Sequence, residues 1–329
     1  MKGIERILCV IDSEKNCGPA LERAVMLAEN NQSSLTVVKM VESLAGALKL
    51  LKNKAASADL QTRLAHYYEQ QIASLVEPYR KRIPIRTLIL EGIIFLEIIR
   101  EVLRNKHDLV VKMTDTTDWL GQLFSSDDMH LLRKCPCPVW LVKPNAPKTC
   151  RRILAAVDVS NDCSASELMT RQELNQRILE TAISLVLSEF GRLHIVHVWD
   201  AIGENLIRTR RALFMDATYD EITQYVEQVK IQHQKNMNIL LHEMTEKLGK
   251  STMDYLRPQL HLIKGSARKE VPILSKQLEA DLIIMGTVAR TGIPGFIMGN
   301  TAEAILNHIN CSVLAIKPTG FDTPVKLES

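Results

Sequence analysis

A chain of 329 residues with 46% apolar and 24% charged side chains has the composition of a folded globular protein, long enough for two domains that each bury a core. Its formal net charge of +3 is too small to draw it onto nucleic acid, and no apolar run approaches the ~18 residues a membrane span needs. Seven cysteines, with Cys9 inside a strand-like run, fit reduced thiols better than a disulfide framework, and the early charges Asp12 and Glu14 interrupt any apolar leader, so a cytoplasmic address is expected.

In chain order, short and almost continuously apolar runs predict strands at residues 4–11, 35–41, 85–90, 109–113 and 139–142, with helical patterns between them. Two prolines and an asparagine at residues 144–150, "PNAPKTC", then suit a linker. A second series of strands follows at residues 153–157, 193–198, 260–264, 282–285 and 313–316. Strands without polar alternation belong to parallel sheets covered on both faces, and β-helix-β alternation gives a doubly wound α/β fold with right-handed crossovers.

The second series repeats the first. "RILCVID", ending at Asp12, matches "RILAAVD", ending at Asp158; "HDLVVKM" matches "ADLIIMG"; "CPVWLVKP" matches "CSVLAIKP". The order is the same in both halves, so the chain is a domain duplication, divided at 1–147 and 148–329. The second half is longer because residues enter after Asp158 and in the helical stretch from about Glu204 to Gly249. Ligands of such folds sit beyond the carboxyl ends of the strands where strand order reverses, which brings Asp158, Gly265 and the segment after Gly286 together.

These residues resemble the universal stress protein family, in particular its bacterial tandem members of the universal stress protein E type. The likeness rests on a first strand ending in Asp, on "DLIIMG", on the loop "RTGIPGFIMGNTAE" and on a last strand of "CSVLAIKP" type. It implies two tandem Rossmann-like domains of the adenine nucleotide alpha hydrolase-like kind, each a five-stranded parallel sheet flanked by helices. It also implies a nucleotide site in the second half, with the base against Asp158 and phosphates near Gly265, Gly286, Thr287, Arg290, Gly292, Gly299, Asn300 and Thr301. The bound molecule would be ATP, ADP, AMP or another nucleotide-containing ligand, with no obligatory cofactor. Two motif positions differ from the family pattern: Ala289 replaces a glycine, and Asn300 stands where a serine or threonine hydroxyl would be. Asn300 followed by Glu303 reads as a capping-box-like helix start that favours an anion. The apolar filling Ile293, Pro294, Phe296, Ile297 and Met298 either packs on protein or covers an apolar part of a conjugate or acyl-bearing ligand.

In the first half Met113 stands in place of Gly286, and Ser125 and Ser126 face Gly299 and Asn300. Asp115, Asp118, Asp127 and Asp128 repel an anionic ligand, so this half is read as degenerate for nucleotide, its acidic loop as solvated. Asp127, Asp128 and His130 match no defined metal signature. In "KCPCP" the prolines make Cys135 and Cys137 a turn, and a lone C-x-C lacks the second pair of a zinc site. Arg80, Lys81, Arg82 and Arg208, Arg210, Arg211 read as solvated helix ends, and His194 and His197 as satisfied structural histidines.

No nucleophile and base stand at a recognisable catalytic spacing, and no G-K-[ST] phosphate loop is present. The expectation is a non-enzymatic cytoplasmic stress-response protein that senses or holds a nucleotide-like small molecule in its second half. The alternatives are a ligand-free interaction scaffold and a weak ATPase. The expected partners are that ligand and the other half of the chain, as an intramolecular pseudo-dimer, with a homodimer left open and neither nucleic acid nor membrane involved.

Overall fold

The computed structural model describes residues 3–12, 17–41, 54–114, 124–204, 219–287 and 298–327. The chain forms two compact units. The first is built on Met1–Lys148 and also takes in Cys311–Ser329; the second is built on Thr149–Gly292 with Gly299–Asn310.

In the first unit the strands β1 (Arg6–Ile11), β2 (Ser34–Val41), β3 (Ile85–Glu91), β4 (Leu109–Met113) and β5 (Val139–Val142) follow the predicted runs. They lie in the order β3-β2-β1-β4-β5, all parallel. Every residue of β4 and β5 is buried, which is why these strands read as unbroken apolar runs apart from Lys112. Burying each such Ile, Leu or Val side chain contributes roughly 1.5–3 kcal/mol. The helices are α1 (Gly18–Asn31), α2 (Lys54–Arg80), α3 (Ile94–Asn105) and α4 (Ser126–Lys134). α1 opens on a proline in its first turn and closes on Gln32 in the left-handed region. α4 opens on a capping box between Ser125 and Asp128. The basic end of α2 is not simply solvated, because Arg82 forms a bidentate ion pair with Glu29 at 2.6 Å on both bonds.

The second unit contains β6 (Arg152–Ala156), β7 (Arg192–Trp199), β8 (Gln259–Lys264) and β9 (Leu282–Gly286), in the parallel order β9-β6-β7-β8. Its helices among the described residues are α5 (Ala165–Glu189), α6 (Tyr219–Leu248), α7 (Lys250–Leu256), α8 (Ala267–Gln277) and α9 (Asn300–Leu306). The insertion after Asp158 forms the loop and first turns of α5, opened by a capping box between Ser164 and Glu167. The second insertion contains the 30-residue α6.

The fifth strand of the second half, β10 (Ser312–Ile316), is present where predicted. It also runs antiparallel to β5, the last strand of the first half, pairing Val313 with Leu141, and groups with the first unit. The physical reason lies in β5, whose four buried residues would otherwise leave an unpaired backbone edge.

Candidate functional site

In the second unit the chain leaves β6 for β7 on one side and returns to β9 on the other, so strand order reverses between β6 and β9. Asp158 lies two residues beyond Ala156, and Thr287 two beyond Met285, the pair that ends the β6–β9 register. The carboxylate of Asp158 is about one third exposed, with a side-chain accessibility of 34%. Its Oδ1 accepts from the Ser160 backbone N–H at 3.1 Å and the Ser160 hydroxyl at 2.7 Å. Its Oδ2 faces the Arg171 guanidinium at 3.7 Å.

The backbone beneath this carboxylate is clamped. Asn175 on α5 accepts from the Asp158 N–H at 3.0 Å and donates to the Asp158 carbonyl at 2.8 Å, while Arg171 donates to the Ser160 carbonyl. Arg171 and Asn175 are both buried and stand four residues apart, hence on one face of α5. From the other side α6 contributes Asn236, which donates to the Val159 carbonyl at 2.8 Å, and His233, whose Nδ1 lies 2.9 Å from His197 Nε2. At the ends of β7 and β8, Lys264 pairs with Glu204 at 2.5 Å and lies over the Trp199 ring.

Gly265 follows β8 with φ +149°, and a Cβ there would meet Glu270 Cγ at 2.9 Å. Left-handed backbone and a crowded Cβ position together demand glycine. Gly265→Ala should therefore cost about 1–3 kcal/mol, measured by chemical denaturation against Gly18→Ala, whose Cβ would meet nothing within 4 Å. Gly286 has a different reason for being glycine: a Cβ would stand 2.5 Å from Leu174 Cδ2, so α5 packs closely on the strand end.

The other expected ligand residues are placed as follows. Thr287 is fully buried and its carbonyl accepts from the Gly299 N–H at 3.1 Å, tying the end of β9 to the start of α9. Asn300 and Thr301 are exposed. Asn300 is not the helix cap: Gly299 is the N-cap, its carbonyl accepting from Glu303 N–H at 3.0 Å, and the expected capping box is one residue out of register. Ala289, Arg290, Gly292 and the apolar filling up to Ile297 lie outside the described residues. So do Asp115, Asp118, Arg208, Arg210 and Arg211.

The equivalent place in the first unit is built around a buried cation. Lys112 on β4 is fully buried and its Nζ stands 2.5 Å from Asp12 Oδ2 and 2.9 Å from Asp128 Oδ1, donating also to the Met113 carbonyl at 3.0 Å. The expectation that Asp128 belongs to a solvated acidic loop is corrected: it is fully buried, and it also accepts from the Ser125 N–H in the α4 capping box. Its oxygens are thus taken up by Lys112 and Ser125. His130 instead stacks on Phe95 with ring centroids 4.6 Å apart. Among the described residues no three His, Cys, Asp or Glu side chains form a metal-binding group.

His194 and His197 are buried, and each meets a second histidine. His194 Nδ1 lies 3.1 Å from His261 Nε2, and His197 contacts His233. Burial holds His194, His233 and His261 below the usual 6.5, in His233 despite the nearby Asp158 and Asp162. The unfolded chain therefore binds protons more readily at these positions. Stability is retained above about pH 6.5 and falls as pH drops below it, so the thermal midpoint should decrease between about pH 7.5 and about pH 5.5. Replacing His233 and His261 with glutamine should flatten that slope in the same scan.

Asp158 and Thr287 follow the paired ends of β6 and β9, and Gly265 follows β8 in the same parallel sheet; Arg171, Asn175, His233 and Asn236, which surround the Asp158 segment, are not singled out by the sequence. Their signal was weak: Arg171 and Asn175 lie at helical spacing inside the first insertion.

A duplicated, doubly wound α/β chain with its crevice at a strand-order reversal defines the class. The model of the universal stress protein family matches residues 3–143 and again 149–317, and the chain belongs to this stress-response family as tandem domains. It is 29% identical over 332 residues to universal stress protein E of Escherichia coli (strain K12), covering 98% of this chain and 97% of that one. It is 30% identical to the universal stress protein E homolog of Haemophilus influenzae, covering 97% and 99%. Among solved structures, a functionally unknown protein from Pseudomonas aeruginosa PAO1 superposes with a TM-score of 0.63 at 26% identity, covering 96% and 93%. No helix among the described residues is long and apolar enough to cross a membrane.

Proposed function

We propose that this protein acts without catalysis in the cytoplasmic stress response, holding a nucleotide or nucleotide conjugate at the carboxyl ends of β6, β8 and β9. The observation that carries this reading is Asp158: a one-third exposed carboxylate at the strand-order reversal, its backbone pinned by Asn175 and its oxygens steered by Ser160 and Arg171. Such a group accepts hydrogen bonds from amino or hydroxyl groups of a ligand without first having to be ordered. The proposed site extends to the Gly265 backbone after β8 and to the start of α9 at Gly299 and Asn300, at the carboxyl ends of the same strands. Arg290, Gly292 and Thr301 complete the proposed set. The first unit is proposed to take no nucleotide, since Asp12, the counterpart of Asp158, is already neutralised by Lys112.

Isothermal titration of ATP, AMP and a UDP-sugar against the wild type, Asp158→Ala and Gly299→Trp tests the reading. Binding should weaken by about 1.5–3 kcal/mol in Asp158→Ala, on the order of ten- to a hundredfold, and vanish in Gly299→Trp. Heat from none of the three ligands with the wild type overturns it. One observation favours an interaction scaffold instead: Leu174 already fills the space beside Gly286, which explains that glycine by packing. Mass spectrometry of the native protein separates the readings, because a scaffold carries no copurifying small molecule.

A further inference from the structure

Most of the cysteines are buried in surroundings that suppress their chemistry. Cys9 is completely enclosed, and burial, aided by Cys17 and Asp12, pushes its thiol far above the ordinary range; burial raises Cys17 as well. Cys135 and Cys137 are buried too, 0% and 8% exposed, but each has the other thiol as its neighbour. Cys135 ends α4, its N–H donating to the Leu131 carbonyl at 2.9 Å, and Pro136 turns the chain so that both side chains point to the same place. Their sulfurs are 3.6 Å apart, inside van der Waals contact. A disulfide bond is about 2.05 Å, so about 1.5 Å of approach separates this dithiol from a covalent bridge.

A cation sits beside the pair. Lys317, which follows β10, is buried, and its Nζ donates to the Leu132 and Arg133 carbonyls at 2.6 and 3.3 Å. Burial pulls its ammonium down to about 8, while the two thiols oppose that shift. The reciprocal effect is on the sulfurs. Burial raises Cys135, but the contact with Cys137 and the charge of Lys317 carry it below its ordinary value; Cys137 is pushed well above. One thiolate is thus stabilised next to one protonated thiol, the asymmetry an oxidisable dithiol needs.

We propose that Cys135 and Cys137 form a redox-active dithiol that hydroperoxides convert to an intramolecular disulfide. The Cys135 thiolate attacks one oxygen of the peroxide; an S–O bond forms, the O–O bond breaks, and the departing hydroxide takes a proton and leaves as water. Cys137 then gives up its proton and attacks the Cys135 sulfur; the S–S bond forms and the S–O bond breaks, releasing the second oxygen as water. Two thiols lose two electrons, and hydrogen peroxide is reduced to two waters. Lys317 is a positioning residue that holds the attacking sulfur as thiolate. This step is independent of the nucleotide site.

The test is to treat the folded full-length protein with hydrogen peroxide, alkylate it and map the peptides by mass spectrometry. The expected result is a peptide bearing both cysteines that has lost two hydrogens, resists alkylation and recovers both thiols with dithiothreitol. Lys317→Met should slow its formation at neutral pH and move the pH profile of the rate upward. Full alkylation of both cysteines after peroxide, or sulfinic acid at one of them without a crosslink, overturns the proposal. An unchanged pH profile in Lys317→Met removes Lys317 from it.

Discussion

Replacing Lys112 by methionine should destabilise the first unit by about 3–5 kcal/mol, read as a lower midpoint in urea unfolding. The size follows from what is left behind. Lys112 is fully buried between Asp12 and Asp128, whose side chains are 8% and 0% exposed. Removing the cation leaves two buried carboxylates facing one space without it. Methionine isolates the charge, because the repeat pattern places Met285 at the matching position and the side chains are similar in length. Adding Asp12→Asn to Lys112→Met should restore much of the loss. A deficit under about 1 kcal/mol at neutral pH would show that the ion triad is no tighter than a surface pair.

The second large effect is expected at Asn175. Asn175→Ala removes the side chain that bonds both the N–H and the carbonyl of Asp158, and each such hydrogen bond contributes about 0.5–1.5 kcal/mol. Asn175→Asp separates the two bonds: a carboxylate still accepts from the Asp158 N–H but cannot donate to its carbonyl, so it should recover part of the loss. Hydrogen exchange at the Asp158 amide reads the local effect, which should be faster in Asn175→Ala and protected in Asn175→Asp. If Asp158 serves the ligand as proposed, nucleotide affinity should fall in Asn175→Ala even though Asn175 is buried beneath the site. Unchanged exchange at Asp158 would mean that the backbone is held by the sheet alone.

Much of the fold was written in the apolar runs. Strands buried on both faces leave unbroken stretches such as "ILCVI" and "DLIIM", and a duplicated sequence shows them twice, so strand positions and parallel pairing were legible. The antiparallel pairing of β10 with β5 was not. "SVLAI" has the same pattern whether it joins a parallel or an antiparallel neighbour, and its partner lies far away in the chain. At the candidate site, the placement of Asp158 and Gly265 after strand ends was legible because a strand end and a glycine are local signals. Lys112 was hidden, since a lysine inside an apolar run declares neither its burial nor its partners. Asn175 and His233 were hidden for a related reason: their partners lie on other elements, and helix periodicity gives a face without saying what it meets. Asn300 looked like a cap because asparagine commonly is one, but the helix takes Gly299 instead.

The antiparallel strand also bears on how the protein is made. The first unit is not finished when its first 148 residues have been synthesised: the Lys143 N–H bonds to the Ser312 hydroxyl, 169 residues further on, and Lys317 reaches back to Leu132 from the same late segment. A nascent chain therefore displays the bare edge of β5 while the whole second repeat is still being translated. Closing that edge is a late, long-range event, and it makes the last step of folding in the first-made half wait on the last residues to leave the ribosome.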